Sequence, residues 1–167
     1  MKRILLIILV TGVLLLGACG GAIKHYANEE FGYSIDYPED WFLEEISPTK
    51  IGIRTGNIAY NQIQIDAYIG GPASTLMSDA LLAVEYENRL WQSFSTIGGT
   101  DLKVSVNERA TGKWDWVIVF TVIYEDALLQ GGEFIKETES ITYTIFFIQS
   151  ADWPEGQEVI DSFSLVQ

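Results

Sequence analysis

The chain has 167 residues and a net charge of −13, with 48% hydrophobic residues, one cysteine and one histidine. An acidic excess of this size argues against nucleic acid and against lying on anionic lipid, since both surfaces repel it. One Cys allows no internal disulfide. One His, His25, allows neither a Ser-His-Asp nor a Cys-His pair in the folded region that follows it, so hydrolysis by those devices is excluded and the chain reads as no enzyme.

Residues 1–19 come first. Lys2 and Arg3 give a basic start, and Ile4 to Leu16 is apolar apart from Thr11 and Gly12. That run is shorter than the roughly 20 residues of a spanning helix, and it ends in small residues, as an export signal does. Leu16-Gly17-Ala18-Cys19 resembles the bacterial lipoprotein signal, with Leu three residues before the Cys and small residues between. The resemblance implies cleavage before Cys19 and a thioether from Cys19 to diacylglycerol. Two or more acyl chains then anchor the protein firmly, facing outside the cytoplasm. Loss of residues 1–18 removes two cations and no acid, so the mature chain is more negative still. Gly20 to Glu30 has no clear period and reads as a lipidated tether, residues 19–30. Its 11 residues reach at most about 36–40 Å, enough to hold an acidic body clear of the headgroups.

A single domain is expected over residues 31–167. Phe31, Tyr33, Ile35 and Tyr37 alternate with small and polar residues, the period of a half-buried strand that Pro38 ends. Short strands follow around Trp41–Leu43 and Ile51–Ile53. "NQIQIDAYI" alternates cleanly, with Ile63, Ile65, Ala67 and Ile69 inward and Gln62, Gln64, Asp66 and Tyr68 outward. A helix capped by Ser74 or Thr75 carries Met77, Leu81, Val84, Trp91 and Phe94 at helical spacing and stops at Gly98-Gly99. "LKVSVNE" is another strand. "WDWVIVFTVIY" is apolar in both phases from Trp116 on, which predicts a central strand covered on both sides. "GEFIKET" and "ITYTIFFIQ" are strands, a short helix spans about Glu155 to Asp161, and "FSLV" closes the sheet. The glycine pairs at 70–71, 98–99 and 131–132 read as turns and element ends. The fold class is α+β, a largely antiparallel sheet with helices on its faces.

"GYSIDYPEDW" resembles the opening of PsbP-like proteins, an aromatic strand running into Tyr-Pro and then Trp. "YTIFFIQSADW", a helix and "IDSFSLV" resemble that family's close. The resemblance implies an α/β/α sandwich, a non-enzymatic role and no cofactor. The family's members include extrinsic subunits of the oxygen-evolving complex and bacterial lipoproteins of unassigned role. It supplies no catalytic constellation to carry over, and a fold does not fix a function.

Asp36, Glu39, Asp40 and Glu44, with Glu45, form an acidic edge. Oxygen ligands suit Ca²⁺, but the EF-hand spacing is absent, and a solvated edge is the plainer reading. "TGK" at 111–113 lacks the first glycine of a phosphate loop. Trp41, Trp91, Trp114, Trp116 and Trp153 belong mainly to the core. Trp114 and Trp116 share a face across Asp115, which leaves Trp114 as a partner-contact candidate beside Tyr60 and Tyr68 on the polar phase of their segment. The leading expectation is a domain that binds or stabilises a partner protein or envelope complex. The alternative is a lipoprotein that binds a small molecule or metal ion beside a transporter or sensor.

Overall fold

A computed structural model describes residues 21–56, 61–70, 79–96, 98–107, 113–150 and 153–166. The strands are β1 (Ile23–Asn28), β2 (Tyr33–Pro38), β3 (Phe42–Ser47), β4 (Lys50–Arg54), β5 (Gln62–Ile69), β6 (Thr100–Asn107), β7 (Trp116–Tyr124), β8 (Ala127–Glu137), β9 (Ile141–Ser150) and β10 (Ser164–Leu165). The helices are α1 (Asp79–Thr96) and α2 (Pro154–Ser162). Seven strands form one sheet in the order β3-β4-β5-β9-β8-β7-β6, and three form a second, β1-β2-β10. Every pairing is antiparallel.

The large sheet has two unlike faces. One, here the sandwich face, meets the small sheet and α2. Ile51, Ile53, Ile63, Ile65, Ala67, Tyr143 and Ile145 from the large sheet pack there against Tyr33, Ile35, Trp41, Trp153 and Phe163. The other, here the helix face, carries α1. Leu90 and Phe94 of α1 sit on Phe120, Val122, Leu129 and Ile148. The two cores lie on opposite faces and are offset along the sheet. The first is centred on β4, β5 and β9, the second on β7, β8 and the end of β9.

Local chemistry explains the element ends. Gly98 takes φ 87°, the left-handed turn that stops α1, and Gly99 N–H donates to the Phe94 carbonyl at 2.7 Å. Glu125 and Asp126, both at positive φ, make the tight turn between β7 and β8. Pro154 opens α2, where a missing N–H costs nothing. At the other end of α2 Lys113 Nζ donates to the Asp161 carbonyl, a cation against the negative end of the helix dipole. Both edge strands are irregular in register, β3 between Glu45 and Ser47 and β6 between Thr100 and Lys103, which blunts edge-to-edge pairing.

Several expectations need correction. Ile23–Asn28 is not tether: it pairs along its whole length with β2, from Ile23 opposite Pro38 to Asn28 opposite Tyr33. The strand was missed because its side chains are mostly exposed and show no apolar alternation. Trp116 is buried, but β7 is not central. It lies beside the edge strand β6, while β9 occupies the middle of the sheet. The second apolar phase of β7, Val117, Val119 and Ile123, is only half-buried. Among the described side chains of α1, Leu90 and Phe94 are buried, whereas Val84 and Trp91 are exposed. Met77, the Ser74 or Thr75 cap and the Leu81 side chain lie outside the described residues. Gly131-Gly132 is no turn but the middle of β8. A Cβ on Gly131 would meet the Phe120 ring at 2.3 Å, and one on Gly132 would meet the Phe147 ring at 2.6 Å. Each glycine seats a neighbouring aromatic ring flat on the sheet, one per face. Finally, β10 pairs with β2 in the small sheet instead of closing the large one.

Candidate functional site

The strands of the large sheet run between two ends of the molecule. At one end the chain enters at Ala22–Ile23, beside the β2–β3 turn. At the other end β5 finishes with Tyr68 and Ile69, paired with Thr142 and Ile141 of β9. Tyr68 is 51% exposed and Ile69 83%. The Tyr68 ring is therefore free while its hydroxyl is not: it donates to Asp66 Oδ2 at 3.2 Å. Partial burial, reinforced by the Asp66 charge, pushes the Tyr68 pKa up. Asp66 itself is buried and paired with Lys50 at 2.8 Å.

The helix face holds a second buried acid that sequence reasoning did not single out. Glu133 on β8 is buried beneath α1 and paired with Arg89 at 2.6 Å. Burial is the largest influence and pushes the Glu133 pKa up, while the Arg89 charge and hydrogen bond oppose it. Asp66 and Glu133 lie on the same face, on the two strands that flank β9. Each has a cation at hydrogen-bond distance. The Arg89–Glu133 pair ties α1 to the sheet, and the Lys50–Asp66 pair joins β4 to β5. Its one sequence signal was an acid in the middle of an apolar run, "GGEFI".

The remaining candidates are scattered. Trp114 is 6% exposed, with rings of Phe134 and Phe163 at 5.3 and 5.4 Å, so it is core and drops out as a contact residue. Trp114 and Trp116 belong to different clusters on opposite faces, because the chain bends at Asp115 before β7 begins. Cys19 and Tyr60 lie outside the described residues. The acidic edge does not converge. Asp36 binds His25 Nδ1 at 2.6 Å, Glu44 meets Arg54 at 3.5 Å, and Glu45 accepts from the Tyr26 hydroxyl at 3.2 Å. Glu39 and Asp40 are exposed in the β2–β3 turn. The described residues hold no group of three His, Cys, Asp or Glu side chains placed to share a metal ion.

Where the small sheet and α2 stop, the sandwich face is left as an open trough of about 420 Å³. Val119, Thr121, Gln130, Phe147 and Gln149 line it, with Lys103 at the rim.

No family model and no curated protein matches this chain. Solved structures do match in fold. The solution structure of cyanobacterial PsbP (CyanoP) from Synechocystis sp. PCC 6803 superposes with a TM-score of 0.66 at 14% identity, covering 90% of this chain and 98% of that one. A crystal structure from Bacteroides thetaiotaomicron VPI-5482 gives a TM-score of 0.52 at 18% identity. It covers 88% of this chain, which spans 49% of that structure. The architecture described above, antiparallel sheets with two helices, is thus similar to that of the cyanobacterial PsbP domain.

Proposed function

We propose that this chain is a lipid-anchored accessory domain, non-enzymatic and facing outside the cytoplasm, that binds a partner protein with the end carrying Tyr68 and Ile69. The carrying observation is the placement of these two side chains. They are large, exposed and apolar, and they lie at the far end of the strands from the point where the chain enters the domain. An anchor on Cys19 directs that far end away from the membrane, where a partner can reach it. The fold shared with a cyanobacterial PsbP domain supports an accessory role, and the signal-like residues 1–19 support the anchor.

A photo-crosslinking residue at Tyr68 should give one adduct of defined mass in membranes from the producing cells. The same residue at exposed Gln92 on α1 should give none. Equal yields at both positions would sink the reading. Cys19→Ala should move the protein into the soluble fraction and abolish fatty-acid labelling; an unlabelled protein that still pellets after high-salt washing would mean an uncut helix. The trough favours a second reading, a small-molecule-binding lipoprotein. Saturable binding of an apolar dye, lost in Thr121→Trp, would select it.

A further inference from the structure

We propose that the end of the domain bearing Ile23 and Phe42 rests on the bilayer interface, an orientation that rests on the lipid-anchored reading above. The argument begins with the length of the tether. Strand β1 starts at Ile23, opposite Pro38, and the Glu39 N–H donates to the Ala22 carbonyl at 2.8 Å. The chain is thus fixed to the β2–β3 turn from Ala22 on. Only four peptide links separate Cys19 from Ile23, and they span at most about 14 Å. The interfacial layer on each side of the hydrocarbon is itself roughly 5–8 Å deep. A domain held on so short a leash cannot stand clear of the surface, and the β2–β3 turn must lie closest to it.

The side chains at that end suit such a place. Ile23 is 63% exposed and Phe42 56%, two large apolar residues on separate strands flanking one turn. The Phe42 ring lies close to Gly56, where a Cβ would meet it at 3.1 Å. Immersed side chains of this kind gain apolar burial at the headgroup boundary. Ile69, the exposed control, lies seven residues farther along β5 than Gln62, which shares a register row with Arg54 and Phe42. Seven strand residues place Ile69 about 23 Å beyond that row.

Charge selects the lipid. Glu39 and Asp40 are exposed in the same turn; Lys24 donates to the Glu39 carbonyl and Arg54, in the row of Phe42, is paired with Glu44, so the acids Glu39, Asp40 and Glu44 outnumber these cations. The contact should therefore be firm on zwitterionic lipid and weaker on anionic lipid at low salt, where repulsion is least screened.

The test uses the full chain purified from cells that acylate lipoproteins, with its mass confirming the lipid. Cys19 is then consumed, so Ile23→Cys, Phe42→Cys and Ile69→Cys each present one free thiol for a fluorophore. All three positions are exposed, and two of them probe the proposed contact on different strands. In phosphatidylcholine vesicles containing a headgroup nitroxide lipid, the probes at 23 and 42 should lose most of their emission and the probe at 69 essentially none. Replacing much of the phosphatidylcholine with phosphatidylglycerol at low salt should restore part of the emission at 23 and 42, and added salt should reverse that recovery. Equal quenching at all three positions on an acylated chain would overturn the orientation alone. A chain whose mass shows no lipid would overturn the anchored reading and the orientation with it.

Discussion

The sandwich face and the helix face of the large sheet solve the same problem differently. The sandwich core joins the two ends of the chain. Phe163 stacks on Tyr33 at 5.6 Å and meets Trp114 and Tyr143 at 5.4 and 5.7 Å, and Trp41 stacks on Trp153 at 5.0 Å. It holds polar atoms as well: the Tyr143 hydroxyl donates to the Phe31 carbonyl at 2.6 Å, while the buried Tyr33 hydroxyl has no hydrogen-bond partner among the described residues. The helix face has smaller clusters and uses the ion pair Arg89–Glu133 to hold α1. One face is locked by aromatic packing between distant segments. The other depends on a single helix whose docking includes a titratable group. The sandwich face should therefore unfold only globally, and α1 should open first.

The strongest way to break this contrast is Phe163→Ala. Removing a buried aromatic that meets three rings and the Lys113 ammonium costs about 3–5 kcal/mol, a large part of the roughly 5–15 kcal/mol that stabilises a domain of this size. Urea unfolding should show the loss as a lower midpoint with one cooperative transition. Leu90→Ala on α1 should cost less, about 2–3 kcal/mol, at the low end for buried leucine. Hydrogen exchange should then show lost protection in α1 while β5 and β9 keep theirs. Equal loss across both faces would mean that the two cores form one cooperative unit.

The ion pair sharpens the comparison further. Arg89 is half exposed, so Arg89→Ala should cost only about 1–2 kcal/mol, less than the loss of a fully buried partner. The pH dependence has a definite sign. Burial raises the folded pKa of Glu133, so between the ordinary carboxylate range and that raised value the folded state holds more protons than the unfolded one. This group's contribution to stability therefore falls as pH rises through that window. Arg89→Ala removes the influence that lowers the pKa, so the fall should steepen. Glu133→Gln should flatten it, and the double variant should behave like Glu133→Gln alone. Melting temperature against pH from about 4 upward reads all three. A slope unchanged in Glu133→Gln would remove Glu133 from the account.

The smallest effect is expected at Tyr68. Its ring is half exposed, so Tyr68→Ala should change stability by no more than about 0.5 kcal/mol while abolishing the partner adduct of a photo-crosslinking residue placed at neighbouring Ile69. A loss comparable with that from Phe163→Ala would show that the ring is structural and would withdraw it as a contact residue.

Local pattern made much of the fold readable. Strands β2, β4, β5, β6 and β9 were visible because one phase of each is apolar and their ends carry Pro, Gly or polar turns. Helix α2 was placed at about Glu155 to Asp161, within the Pro154–Ser162 of the structure. The phase of β5 placed Ile63, Ile65 and Ala67 in the core, but it did not decide exposure on the other side or at the strand end: Asp66, expected outward, is buried, and Ile69, expected inward, is exposed. What local pattern could not supply was which surface each apolar phase meets. Strand β1 has an exposed sequence and becomes a strand only because β2 offers it a ladder of unpaired backbone groups. Trp114 looks like an edge residue until the bend at Asp115 turns it into the sandwich core. Gly131-Gly132 resembles a turn until Phe120 and Phe147 arrive from neighbouring strands to cover it. Glu133 is one acid among many until α1 folds over it and brings Arg89. The signal-like start, the acidic charge and the strand periods are properties of neighbouring residues, and the sequence alone determined them. The small sheet, the offset cores, the short leash at Ile23 and the buried ion pair arise from contacts between segments far apart in the chain. Only the tertiary structure could decide them, because burial and pairing depend on what packs from elsewhere.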